Sequence, residues 1–149
     1  MATIDSNLER FYASLSRLAT KVDQGSRLDR LSEIRNLPQR GVYFFRETGE
    51  LTSSGEPRVT RVGTHGVSAG SKSSLRGRLR THLGSKSGVG NHRGSIFRLH
   101  VGMALRNRDG LELPYWGRGS TRPVELRASA TAALAEAEHE RRVSKVIGS

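Results

Sequence analysis

The sequence predicts an α+β domain in which a small antiparallel sheet is flanked by helices. Three observations carry that prediction. Gly41-Val42-Tyr43-Phe44-Phe45 is a dense run of β-branched and aromatic residues, and Arg58–Thr64 follows as its natural partner strand. Apolar residues recur at three- and four-residue steps on both sides of that pair. The length, 149 residues, suits one domain with one modest core.

The elements follow in order. Leu8, Phe11, Tyr12, Leu15, Leu18 and Val22 form the apolar stripe of a helix over Ser6–Val22, with Asp5 or Ser6 as cap and Glu9 as capping-box acid. Asp23-Gln24-Gly25-Ser26 ends it. Leu28, Leu31 and Ile34 predict a second short helix, stopped before Leu37-Pro38. In the Gly41–Phe45 strand, Val42 and Phe44 are expected to face the core with Val62. Tyr43, Phe45, Arg61 and Gly63 then share the opposite side. Glu47 to Pro57, rich in Gly and Ser, reads as a loop, a long connection for a hairpin.

Val67–Ser74 is a Gly/Ser/Lys loop, and Ser73 or Ser74 caps a helix from Leu75 to Leu83. Leu75, Leu79 and Leu83 are its buried stripe, and Arg78 and His82 share a neighbouring face. Gly84–Gly94 is a second flexible, basic loop. Ser95–Asn107 alternates like a strand through Phe97, Leu99, Val101, Met103 and Leu105. Ser95 is nonetheless a good cap and Gly110 a stop, so a helix is favoured. Leu111–Pro123 is a loop, and Ser129–Val146, with six Ala between Ala128 and Ala137, is a helix of strong intrinsic propensity.

The charge is unevenly placed. The net charge is +11, yet residues 1–57 hold eight Lys/Arg against eight Asp/Glu, and residues 109–149 hold six of each. Residues 58–108 hold eleven Lys/Arg and no acid, so the whole excess lies in the middle. Such a field attracts polyanions, and nucleic acid is the expected partner. The absence of cysteine excludes disulfides and thiolate metal sites. No run of 18 apolar residues exists, and Met1–Arg10 lacks the basic-then-apolar order of a signal peptide. A cytoplasmic protein is the expectation.

Phosphodiester cleavage needs a group that positions or activates water and cations for the phosphate charge, usually with a metal held by a carboxylate. Tyr43 supplies a hydroxyl, Arg78 a permanently charged planar fork, and His82 a group able to move a proton near neutral pH. Gly63 lets backbone and substrate approach closely. Each has a plainer reading: Tyr43 as core aromatic, Arg78 as solvated cation, His82 at a helix C-terminus where positive charge is favoured. Lys72, Arg76, Lys86, His92 and Arg93 are expected to contact nucleic-acid backbone, and His65 reads as a solvated loop histidine.

In combination these residues resemble the GIY-YIG nuclease family. The first motif stands as Gly41-Val42-Tyr43, with Val for Ile, and the second as Arg61-Val62-Gly63, with Arg for Tyr. The family's following helix, with leucine, arginine three on and histidine four further, stands as Leu75, Arg78 and His82. The resemblance covers residues 38–83 and implies an endonuclease acting on DNA. Residues 1–37 would be a helical segment preceding a nuclease domain over 38–149. It implies Tyr43 as the first catalytic tyrosine, acting on water, Arg78 as stabiliser of phosphorane-like charge, and His82 as proton-transfer or phosphate-holding group. Arg61 occupies the second tyrosine's place and can hold phosphate but cannot titrate.

The resemblance also implies Mg²⁺ or another divalent cation, held by one glutamate on a helix after a third strand. Its ligand here is unassigned. One expectation is that residues 1–149 hold only the first half to two-thirds of the domain and lack that ligand. The rival makes Ser95–Leu105 the third strand and Glu136 or Glu140 the ligand. The alternative to an enzyme is a non-catalytic basic nucleic-acid-binding module.

Overall fold

The computed structural model describes residues 3–21, 25–68 and 70–149. Helix α1 spans Ile4–Ala19, strands β1 and β2 span Gly41–Leu51 and Pro57–His65, and helix α2 spans Leu75–Leu83. Helices α3, α4 and α5 follow at Ile96–Asp109, Val124–Ala128 and Ala130–Gly148. Single 3₁₀ turns lie at Leu28–Arg30 and His92–Gly94. The fold is α+β, a two-stranded antiparallel sheet among helices.

Most elements form where local chemistry places them. Ser74 caps α2 and Ser95 caps α3, each side-chain oxygen accepting the backbone N–H three residues on. Gly110 closes α3 in the left-handed region (φ 62°), which a glycine adopts without penalty. Ser95–Asn107 is thus within a helix, not the third strand of the rival expectation. Thr3, rather than Asp5 or Ser6, caps α1, so Glu9 is not at a capping-box position. Val22, Asp23 and Gln24, part of the expected helix and its stop, lie outside the described residues, as does Ala69. The second helix shrinks to the Leu28–Arg30 turn, and Glu125 lies in short α4.

The hairpin runs further than its composition suggests. β1 continues to Leu51, which pairs with Pro57, and Thr52–Glu56 make the turn. Irregularities after Phe45 and Arg46 absorb the poor strand-formers there. Tyr43 lies opposite Gly63 and Phe45 opposite Arg61, so these four share one side, as expected. The core, however, is on that side. Tyr43 is 8% exposed and clusters with Leu31, Leu75 and Leu79, whereas Val42 and Val62 are 50% and 52% exposed. Alternation sorts residues into two faces but cannot say which face α2 will cover.

The segment before the hairpin packs onto it. Phe11 of α1 lies 5.9 Å from Phe44, and the Tyr12 hydroxyl accepts the Val59 N–H at 3.0 Å. A second cluster joins Leu105, Trp116 and Val143 between α3, the loop after it and α5.

Candidate active site

α2 delivers His82 to Tyr43. Leu75 and Leu79 bury its apolar stripe against the hairpin, and the next turn carries His82 into the interior at 0% exposure. The Tyr43 hydroxyl and His82 Nε2 lie 2.6 Å apart. Gly63 makes the approach possible: a Cβ there would stand 2.2 Å from the Tyr43 ring carbon Cζ. The second motif's glycine is therefore required by the first motif's tyrosine. The other ring nitrogen, Nδ1, meets Ser95 Oγ at 2.7 Å.

Two arginines flank this pair. Arg61 holds its guanidinium 4.8 Å over the Phe97 ring, and its buried Nε has no hydrogen-bond partner among the described residues. The Arg78 guanidinium donates to the Gly94 carbonyl at 3.2 Å, its one partner among the described residues. Neither forms an ion pair with a described carboxylate. Burial, and then the charges of Arg78, Arg61 and Arg98, push His82 down to about 3. It is neutral at physiological pH and does not carry a proton as imidazolium there.

Directly behind His82 lies a different kind of polar cluster. Arg98, 0% exposed, donates to the His82 and Leu83 carbonyls at 2.8 and 3.0 Å. Its Nε donates to Glu140 Oε2 at 2.9 Å, and Ser144 Oγ accepts at 3.0 Å. Glu140 Oε1 accepts from the His92 backbone N–H at 2.7 Å and meets His92 Nδ1 at 2.9 Å. Gly117 N–H donates to His92 Nε2 at 3.2 Å, so a neutral His92 carries its proton on Nδ1 and donates it to Glu140. Burial alone would raise the Glu140 carboxyl. Hydrogen bonds from His92 and Arg98, with the Arg98 charge, outweigh burial and hold it below the usual carboxylate range. Glu136 sits in a parallel arrangement, gripped by both terminal nitrogens of Arg93 at 2.7 and 2.9 Å.

The structure thus brings Tyr43, Arg61, Arg78 and His82 together and separates most of the expected backbone contacts from the surface. Lys72 and Lys86 are exposed. Arg76 turns inward to the Leu31 and Ile34 carbonyls, pinning α2 to the preceding segment. His92 is buried, with both ring nitrogens used and its ring stacked 3.8 Å from Trp116. Arg93 is occupied by Glu136 and the Tyr115 carbonyl. These three do not sit where they can hold nucleic-acid backbone, because each answers a buried acceptor first. Arg98 went unnoticed in the sequence. Its spacing to Gly102 and Leu105 puts all three on the buried stripe of α3, the one available signal.

The chain belongs to the GIY-YIG domain family, whose model matches residues 2–149. This is a nuclease-type endonuclease family. No curated protein and no solved structure matches the chain.

Nucleases of this family generally use a divalent metal. Neither glutamate expected as its ligand is free to hold one. Among the described residues no group of three or more His, Asp or Glu is placed to hold an ion. His82, Arg61 and Arg78 lie within the acid-free stretch of residues 58–108, with Tyr43 before it, and Glu136 and Glu140 are each committed to an arginine.

Proposed function

We propose that this chain is an endonuclease hydrolysing DNA phosphodiester bonds at the Tyr43–His82 centre, within a nuclease unit over residues 38–149. One observation carries the reading. A tyrosine hydroxyl held 2.6 Å from a buried, neutral histidine is flanked by two arginines free of carboxylate partners among the described residues. A phosphate between Arg61 and Arg78 would gain charge-assisted hydrogen bonds that strengthen as negative charge builds on its oxygens. Water then adds to phosphorus beside the Tyr43 oxygen and gives up a proton to solvent, the bond to the bridging oxygen breaks, and the departing oxygen takes a proton from solvent. Lys72 and Lys86 would carry flanking backbone.

Family membership supports a need for Mg²⁺ or another divalent cation, although no step above depends on one. Plasmid nicking with Mg²⁺, with Mn²⁺ and with chelator tests the reading. Expected are nicks that Arg78→Ala abolishes while DNA binding persists. Failure to cleave any DNA with either metal overturns it.

The commitment of Glu136 and Glu140 to arginines favours a second reading, a non-catalytic nucleic-acid-binding module. It predicts binding that weakens steeply with salt, ignores chelator and produces no nicks.

A further inference from the structure

We infer that Ser95 is a positioning residue that locks His82 in its Nε2–H tautomer, so that His82 donates a hydrogen bond to the Tyr43 oxygen. The inference rests on the proposed nuclease reading for its consequence, but not for its geometry. Ser95 is buried, and its Oγ has two partners among the described residues. One is the Arg98 backbone N–H at 3.2 Å, which can only donate. The other is His82 Nδ1 at 2.7 Å. Among the described residues the Ser95 hydroxyl hydrogen therefore has a single acceptor, Nδ1. In the opposite arrangement Tyr43 donates to Nε2 and the Ser95 hydrogen goes unmatched; because Ser95 is 1% exposed and Tyr43 8%, the unmatched hydrogen costs more at Ser95, which favours Ser95 donating to Nδ1. A neutral imidazole with Nδ1 accepting carries its proton on Nε2. Nε2 lies 2.6 Å from the Tyr43 oxygen and so donates to it.

The consequence reverses the usual expectation for a histidine beside a tyrosine. His82 does not receive a proton from Tyr43. It is a neutral donor that fixes the Tyr43 oxygen and does not take its proton. The hydroxyl hydrogen of Tyr43 has no acceptor among the described residues, which leaves it for substrate or solvent. In the opposite tautomer that hydrogen would be directed at His82, and Ser95 would be unsatisfied. The same Oγ caps α3, so the lock is built into the helix start and is set by the fold before any substrate arrives.

The test reads the ring nitrogens directly. In the ¹⁵N-labelled full chain near neutral pH, long-range ¹H–¹⁵N correlations identify the His82 ring, assigned by its absence in His82→Gln. Nδ1 is expected as the unprotonated nitrogen and Nε2 as the protonated one. Ser95→Asp keeps an acceptor for the Arg98 N–H but has no proton to give, so the proton moves to Nδ1. Ser95→Thr keeps the hydroxyl and restores the native pattern. Nicking is expected to fall about 10- to 100-fold in Ser95→Asp, with DNA affinity unchanged, and to recover in Ser95→Thr. A wild-type spectrum with the proton on Nδ1, or a native pattern persisting in Ser95→Asp, overturns the lock. If Ser95→Asp does not fold, the wild-type spectrum alone decides. If wild type nicks no DNA, the nuclease reading falls while the ring-nitrogen pattern still decides the tautomer.

Discussion

Two polar regions meet back to back at His82, and they obey opposite rules. Behind the histidine, Arg98, Glu140 and His92 form a buried cluster in which each charge is answered at hydrogen-bond distance. In front, Tyr43 retains an uncommitted hydroxyl hydrogen, and Arg61 and Arg78 have no described carboxylate beside them. Closed networks add rigidity and specify one arrangement, and they are costly when half broken. Open groups add little to stability and remain available to a ligand. The contrast teaches that Glu136 and Glu140 serve the fold by holding Arg93 and Arg98, while Arg61 and Arg78 keep no carboxylate partner among the described residues.

The sharpest way to break that contrast is to open the closed side. Glu140→Ala leaves the Arg98 guanidinium buried and uncompensated, and should cost about 3–5 kcal/mol, read by chemical denaturation. If the loss is under about 1 kcal/mol, the cluster is not the brace described here.

The open side should respond in the opposite way. Tyr43→Phe removes the hydroxyl and leaves the buried His82 Nε2 without its partner, so nicking should fall about 10²-fold or more while stability falls by about 1–3 kcal/mol, less than in Glu140→Ala. A comparable loss of stability would mean that Tyr43 serves mainly the core.

The shared histidine makes stability depend on pH. His82 titrates near 6.5 when unfolded and near 3 when folded, so between those values the unfolded chain binds more protons. Stability is full above the unfolded value and should be lost as pH falls from about 6.5 toward 3, by about 1.4 kcal/mol per pH unit for this one group. His139, lowered chiefly by burial and then partly restored by its bond to the Gly102 carbonyl, acts with the same sign. His82→Gln should flatten the slope without removing it, measured by denaturation across that range.

The smallest expected change is in the salt dependence of binding. Arg61→Ala and Arg78→Ala should each reduce the salt dependence of DNA binding by about one counterion, seen as a shallower slope of log affinity against log salt. Arg93→Ala should leave that slope unchanged, because its guanidinium belongs to Glu136. A reduced slope in Arg93→Ala would place that residue on the nucleic acid instead.

Much of the front region was legible from local pattern. The Leu75–Leu83 helix, its serine cap and the sharing of one side by Tyr43, Arg61 and Gly63 all follow from short-range periodicity and capping chemistry. The three motif fragments in order pointed to the family whose model covers residues 2–149. Only the tertiary structure decided which side of the hairpin is buried, because alternation is symmetric until a helix packs on one face. It also decided that Arg76, His92 and Arg93 turn inward. His92 and Arg98 meet Glu140 across 48 and 42 positions of sequence, and whether a charge is solvated or buried depends on such remote partners. No property of the residue itself reveals that partner, so a basic stretch reads as uniformly open until the fold closes half of it.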